Sequence, residues 1–176
     1  MSAALLIADS GPLIALARLQ RLSLPSELFG KVWVTETVWD EVTRQPRVDE
    51  LHALMAAQQV GSFLVVPDHQ TALGQHGDSS PDARAHLLSD PGLDPGEQSA
   101  LALALATAAT VLIDERRGRA CAVAMQLPVL GTLGLLVRAR DAGLIERVRP
   151  LADALSASGY FLGQVLVART LASIGE

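Results

Sequence analysis

The sequence is poor in aromatic residues and cysteine. Aromatic residues make up 3% of 176 positions and hydrophobic residues 49%, so the core must consist mainly of Leu, Val, Ile and Ala. The single cysteine, Cys121, excludes an internal disulfide framework and fits a reducing compartment. We interpret Cys121 as a small core residue within a helix. Charged residues account for 19%, a composition typical of one globular domain and not of a disordered chain.

Long apolar runs are also missing. The N-terminal segment has no basic region, and Asp9 interrupts its apolar stretch, which argues against a secretory signal. The longest uncharged stretch, residues 120–137, is broken by Gln126, Pro128 and Gly131, and so predicts no membrane span. These absences predict a cytoplasmic protein without a membrane partner.

Lysine is nearly absent, since 13 of the 14 basic residues are Arg. The net charge of −5 argues against a nucleic-acid partner, but residues 116–149 hold seven Arg and two acids, which leaves −10 for the remainder. Arg116, Arg117 and Arg119 are candidates for binding phosphate oxygens, which the planar guanidinium suits. The alternative is that these arginines merely solvate helix surfaces.

Short apolar runs alternate with stretches of helical periodicity. Strands are predicted at residues 5–8, 32–34, 63–66, 110–113 and 128–130. Helices are predicted after a Ser10 cap, from Thr35 or Thr37 to about Thr43, and at residues 49–60, 94–108, 116–126, 132–142, 149–158 and 162–173. The alternation predicts an α/β fold with a parallel sheet and right-handed crossovers. Residues 67–92 form an unusually long polar connection, which is typical of mobile or functional segments.

Two predicted strands end on an aspartate, Asp9 and Asp114. Ligands of open parallel sheets bind beyond the carboxyl ends of the strands. Helix capping explains either aspartate alone equally well. The pair, at equivalent strand ends, favours a functional site.

Two glutamates are further candidates. Glu41 lies near the boundary of the helix face formed by Val38 and Val42, although spacing alone favours an ordinary surface acid. Glu97 follows Asp94 at capping-box spacing, so a structural role competes with a chemical one. Clustered carboxylates need a cation, and oxygen ligands without Cys or His select Mg²⁺ or Mn²⁺. Such ions suit phosphodiester hydrolysis.

At these residues the sequence resembles the PIN-domain family, and in particular a prokaryotic PIN-like subfamily of unknown function. The resemblance covers about residues 4–150. It rests on LLIADSGPLIALARL, VWVTETVWDEV, GLDPGEQSALALAL and VLIDERRGRACAVAMQLPVLGTLGLLVRARDAGLI, in that order. It implies a three-layer α/β/α fold with about five parallel strands, in which residues 1–150 form the PIN-like nuclease domain. Residues 151–176 would be a C-terminal helical extension packed on the same domain.

The resemblance also implies roles for single residues. Asp9, Glu41, Glu97 and Asp114 match the four acids that are catalytic and bind metal, while Ser10 and Thr132 match polar positions that line the site. Many members are VapC-type toxins, Mg²⁺-dependent endoribonucleases that are silenced by an antitoxin and commonly form homodimers. Many PIN domains place a further acid beyond the fourth. Here Arg-Arg-Gly-Arg follows Asp114-Glu115, which leaves Glu115 as a substitute or the second metal weakly bound.

The sequence allows three alternative interpretations. The main one is a non-catalytic PIN-like module that binds RNA or a protein. A phosphatase of the haloacid-dehalogenase type would use Asp9 as nucleophile, but it expects an Asp two residues on, where Gly11 stands. His69, His76 and Asp78 match no familiar metal-ligand spacing, which favours a solvated loop.

Overall fold

The computed structural model describes residues 4–68, residue 88 and residues 90–176. His69, His76, Asp78 and most of the 67–92 connection lie outside these ranges. In the described part the strands are β1 (Ala4–Ala8), β2 (Gly30–Thr35), β3 (Leu64–Val66), β4 (Thr110–Leu112) and β5 (Val129–Leu130). The helices are α1 (Ser10–Arg18), α2 (Leu24–Phe29), α3 (Glu36–Arg44), α4 (Val48–Gln59), α5 (Pro95–Thr107), α6 (Arg116–Ala124), α7 (Thr132–Asp141), α8 (Arg149–Ala157) and α9 (Gln164–Ser173).

The five strands form one parallel sheet in the order β3-β2-β1-β4-β5. The chain adds strands on one side of β1 and then returns to add β4 and β5 on the other side. Strand order therefore switches between β1 and β4, where crevices for ligands form in open parallel sheets. The predicted three-layer α/β/α fold with about five parallel strands is confirmed.

The sheet is buried because its central strands are apolar on both faces, as parallel sheets require. Leu6, Ile7 and Ala8 of β1 and Val111 and Leu112 of β4 are fully shielded from solvent. Helices α1 and α3 to α6 contribute further buried side chains to this core. Full burial of one such aliphatic side chain stabilises the fold by about 1.5–3 kcal/mol.

A second apolar cluster joins the C-terminal helices to the rest of the chain. Ala152 and Leu155 of α8 and Leu171 of α9 pack with Ala15 of α1 and Leu136 of α7. The end of the described chain closes this cluster, because the Glu176 carboxylate accepts the N–H groups of Val148 and Arg149 at the start of α8. Partly buried side chains of the segment after α8 pack on the same cluster as Ala15 of α1, the helix that follows Asp9.

Two features differ from the sequence predictions. Asp9, and not Ser10, is the N-cap of α1, so the helix begins one residue earlier than expected. Helix α2 was not predicted, because its six residues are too short to show a helical period. By contrast, Thr35 caps α3 as predicted, since its side chain accepts the N–H of Val38 at 3.3 Å. In the described ranges, no helix is both long and apolar enough to span a bilayer.

Candidate metal centre and nuclease site

The carboxyl ends of β1, β2 and β4 meet at one edge of the sheet. Asp9 follows β1 directly, and its backbone N–H donates to the carbonyl of Leu112 at the end of β4, at 3.0 Å. Thr35 ends β2 on the other side of β1 and is fully buried. The first residues of α1, α3 and α6 therefore surround this edge.

Asp9 is a buried acid with an unused oxygen. Its side chain is 3% exposed, and Oδ1 finds no hydrogen-bond partner among the described residues. Burial, the largest cause, raises the pKa of Asp9 from 3.8 to about 8. The charges of Asp94, Glu97 and Glu41 raise it further, while the backbone N–H of Ser10 opposes them. Three other acids therefore lie close enough to affect Asp9.

Glu97 is the second buried acid, 2% exposed, at the start of α5. The predicted capping box is confirmed: Glu97 N–H donates to Asp94 Oδ1 at 2.7 Å, and Asp94 N–H donates to Glu97 Oε2 at 3.1 Å. Oε1 is left buried and without a partner in the described structure. Burial raises the pKa of Glu97, as do the charges of Asp94, Glu115 and Glu41. Capping thus uses one oxygen of Glu97 and leaves the other for a ligand.

Glu41 reaches the same acids from α3. The residue is exposed, but its Oε2 fills the space that a side chain at Gly96 would need. Asp94 Oδ1 lies 3.3 Å from that same position. Although the residue as a whole is exposed, partial desolvation of its carboxyl group, and then the charge of Asp94, raises the pKa of Glu41, and a hydrogen bond from Ser10 opposes the shift. Sequence reasoning assigned Asp94 only to the helix cap, yet its charge acts on every acid of this group.

Asp114 belongs to the same edge but faces other partners. Its Oδ1 accepts the N–H of Thr132 at 2.8 Å, and its Oδ2 accepts the Thr132 hydroxyl at 2.5 Å. Tyr160, in the segment between α8 and α9, also donates to Oδ2, at 2.6 Å. No sequence signal pointed to Tyr160, which lies 46 residues from Asp114 along the chain. The charges of Asp9, Glu41, Glu97 and Asp94 therefore act on one another at this edge, whereas Asp114, which follows β4, is hydrogen-bonded to Thr132 and Tyr160.

Comparison with known proteins decides the family. The model of a family described as a PIN domain matches residues 5–176. The chain belongs to the PIN-domain family. No curated protein and no solved structure matches it. PIN domains are generally nucleases that use divalent metal ions, so at this coarse level the fold is that of a nucleic-acid hydrolase.

The polar residues expected to line the PIN site occupy unequal positions. Ser10 is 9% exposed, and a hydrogen bond from its side chain acts to lower the pKa of Glu41. Thr132 is completely buried and donates to Asp114. Arg116 is exposed at the start of α6. Arg117 pairs with Asp90 at 2.6 Å, and Arg119 donates to the carbonyl of Ile113 at 3.0 Å.

The arginine-rich segment 116–149 does not form one basic surface. Arg138 lies over the ring of Phe29 at 5.7 Å. The side chains of the remaining three surround the end of the described chain: Arg140, Arg147 and Arg149 contact Glu176. Within this segment, the arginines at residues 116, 117 and 119 belong to α6, the helix that follows Asp114, whereas those at residues 138, 140, 147 and 149 have the other contacts given above.

The fit of a divalent metal to this PIN site rests on the donor set. Two buried carboxylate oxygens, Asp9 Oδ1 and Glu97 Oε1, lack partners within the described chain, and carboxylate oxygens are the ligands that Mg²⁺ and Mn²⁺ prefer. As the side chains stand, however, no three His, Cys, Asp or Glu residues in the described ranges form a group that could hold a metal ion. The donor types therefore fit such an ion, whereas the side-chain positions of the described residues do not form a complete ligand set.

Proposed function

We propose that this PIN domain is a Mg²⁺- or Mn²⁺-dependent endoribonuclease with Asp9 and Glu97 at its centre. The observation that carries the proposal is the pair of buried oxygens, Asp9 Oδ1 and Glu97 Oε1, that accept no hydrogen bond from described groups. Leaving a buried polar atom unsatisfied costs about 1–3 kcal/mol, so such atoms call for an explanation such as an ion. Two at one edge of a sheet support a cation site.

The residues then take distinct roles. Asp9 and Glu97 would hold the ion from the strand end and the helix start, and Glu41 and Asp114 would complete its ligands. Thr132 is a positioning residue, because it is buried and donates twice to Asp114. Arg116 and Arg119 lie on α6, the helix that follows Asp114. Both would bind the RNA backbone, as guanidinium groups bind phosphate.

To bind a cation, Asp9 must be ionised, although the charges of Asp94, Glu97 and Glu41 disfavour its ionisation. Asp9 has a pKa near 8 and would carry a proton at neutral pH without an ion. Asp9 would hold the cation as a deprotonated carboxylate together with Glu97, and the positive charge of the cation would offset the negative charge of the neighbouring carboxylates. A bound Mg²⁺ or Mn²⁺ lowers the pKa of an attacking water and stabilises charge on the phosphate oxygens.

The direct test is cleavage of single-stranded RNA by the purified protein with Mg²⁺ or Mn²⁺. We expect Asp9→Asn to abolish cleavage while thermal unfolding remains cooperative. Asp153→Asn is a matched control, since Asp153 is exposed on α8 away from the sheet edge. RNA binding without metal-dependent cleavage would contradict the nuclease proposal.

A non-catalytic RNA-binding module is the second candidate. It is favoured by the absence of a preformed group of three acids in the described residues and by the three donors that already occupy Asp114. This candidate predicts equal RNA affinity with and without Mg²⁺, and no cleavage. The nuclease proposal instead predicts that RNA is cleaved in the presence of the metal ion and that cleavage stops when EDTA is added.

The toxin role, the antitoxin and the homodimer are further parts of the proposal. Exposed apolar side chains support a protein partner at the C-terminal helices, where Phe161 is 90% and Val165 69% exposed. If the protein is a toxin, its expression arrests growth, and the product of a neighbouring small gene relieves that arrest. Sedimentation of the purified chain measures the dimer, and harmless expression would count against the toxin. A cytoplasmic location stays a prediction.

A further inference from the structure

Tyr160 touches the acidic edge from the far end of the chain. Its hydroxyl donates to Asp114 Oδ2 at 2.6 Å. The same hydroxyl lies 3.3 Å from the position that a Gly11 Cβ would occupy, so a side chain at residue 11 would crowd it. Tyr160 therefore stands between the segments that carry Asp9 and Asp114.

The backbone that carries Tyr160 is fixed by a buried ion pair. Glu50 is 6% exposed and accepts Arg18 Nε at 2.7 Å. The carbonyl of Ser158 accepts Arg18 Nη1 at 3.4 Å and Arg47 Nη2 at 3.3 Å. The guanidinium of Arg18 also lies 5.9 Å from the centre of the Tyr160 ring. Helices α1 and α4 thus hold the turn before Tyr160 in place.

The donors around Asp114 leave its carboxylate little freedom. Oδ2 accepts two hydroxyl groups and Oδ1 accepts one amide. A carboxylate has about four lone-pair sites, so these three bonds leave one open, on Oδ1. Thr132 donates to both oxygens, and the Tyr160 hydroxyl takes the second site on Oδ2.

We propose that Tyr160 is a positioning residue that holds Asp114 so that only Oδ1 can reach a bound cation. This role rests on the proposed function of the site. Groups that hydrogen-bond to metal-ligating carboxylates set their orientation, and loss of such a group weakens metal binding by about 10- to 100-fold. The C-terminal segment is then part of the functional site and more than packing for the sheet.

The first experiment measures Mn²⁺ binding to the full chain by electron paramagnetic resonance, without RNA. We expect Tyr160→Phe, which keeps the ring, to raise the Mn²⁺ dissociation constant by about tenfold. Ser173→Ala is the control, since it also removes one hydroxyl, that of the exposed Ser173 on α9, which donates to the carbonyl of Thr170; its affinity should equal that of wild type. Equal Mn²⁺ affinity of Tyr160→Phe and wild type would overturn the proposal while leaving the metal site intact. A wild type that binds no Mn²⁺ would instead overturn the proposed function and this role with it.

A second experiment needs no metal. The midpoints of thermal unfolding are compared for Tyr160→Phe, Asp114→Ala and the double variant. If the hydroxyl holds Asp114, the double variant loses less in midpoint than the sum of the two single losses. Additive losses would show that the Tyr160 hydroxyl and Asp114 are not coupled, and would overturn the proposal.

Discussion

Glu97 Oε1 lies directly against Gly118, where an added Cβ would sit 2.7 Å from that oxygen. Gly118 is buried in α6, and its missing side chain makes the space for the unpartnered oxygen of Glu97. A glycine in the interior of a helix costs about 0.5–1 kcal/mol relative to alanine. Gly118 thus lowers the stability of α6 but leaves room for the side chain of Glu97.

Gly118→Ala should therefore weaken Mn²⁺ binding, despite the better helix propensity of alanine. The new methyl group would also collide with the side chain of Ile113, so we expect the free energy of unfolding to fall by about 1–3 kcal/mol. Gly134→Ala in α7 is the matched control, because its nearest neighbour is the flexible end of Leu130 at 3.0 Å. Equal Mn²⁺ affinities of the two variants in a binding titration would contradict this role of Gly118.

The stability of the metal-free protein should fall as pH rises. The pKa of Asp9 is about 8 in the folded chain and near 3.8 when unfolded, so the folded state binds more protons between these values. The stabilising contribution is complete below about pH 4 and is lost progressively up to about pH 8. Urea unfolding in EDTA at several pH values measures this slope.

Asp9→Asn supplies the control for that slope. The amide cannot ionise, so we expect the variant to be more stable than wild type at pH 8 in EDTA, by about 2 kcal/mol. Addition of Mg²⁺ should stabilise wild type and leave Asp9→Asn unchanged. A variant that is less stable than wild type at pH 8 would mean that burial of the Asp9 carboxylate carries no penalty.

The two strand-end acids could be predicted because the signal for each lies in the few residues before it. Asp9 and Asp114 each follow an apolar run, and parallel pairing then brings the strand ends together. Tyr160 could not be predicted this way, since its contact with Asp114 depends on how α8 packs on α1. Helix α2 was missed because six residues carry too little pattern.

The arginine-rich segment shows the same limit. Its charge can be counted from the sequence, but the partner of each guanidinium depends on tertiary contacts. Arg147 lies 3.9 Å from Glu176, a residue that is distant in the sequence. A local charge count therefore does not show which of these arginines share one surface.

Because these arginines have different contacts, we expect their substitutions to affect RNA binding unequally. Arg116→Ala, at the start of α6, should weaken RNA binding and lower the slope of log affinity against log salt by about one. Arg147→Ala should change neither quantity, because that guanidinium contacts Glu176. Fluorescence anisotropy with labelled single-stranded RNA in EDTA measures both. Equal losses for the two variants would show that the whole arginine-rich segment binds RNA.

Glu50 should matter for stability although it lies outside the acidic edge. The acid is buried and paired with Arg18, so Glu50→Ala would leave Arg18 without its carboxylate partner. Breaking a buried pair costs about 3–5 kcal/mol. Asp49→Ala, at the neighbouring exposed position of α4, should cost much less. Chemical unfolding of the two variants compares them, and equal losses would contradict a structural role for the Glu50–Arg18 pair.

The proposed function requires that Asp9 Oδ1 and Glu97 Oε1 bind one divalent cation. An anomalous difference map from crystals of the protein grown with Mn²⁺ shows directly where that cation lies. We expect a peak at about 2.1 Å from both oxygens, with Asp114 approaching through Oδ1. A peak that avoids both Asp9 and Glu97, or no peak at saturating Mn²⁺, would contradict it.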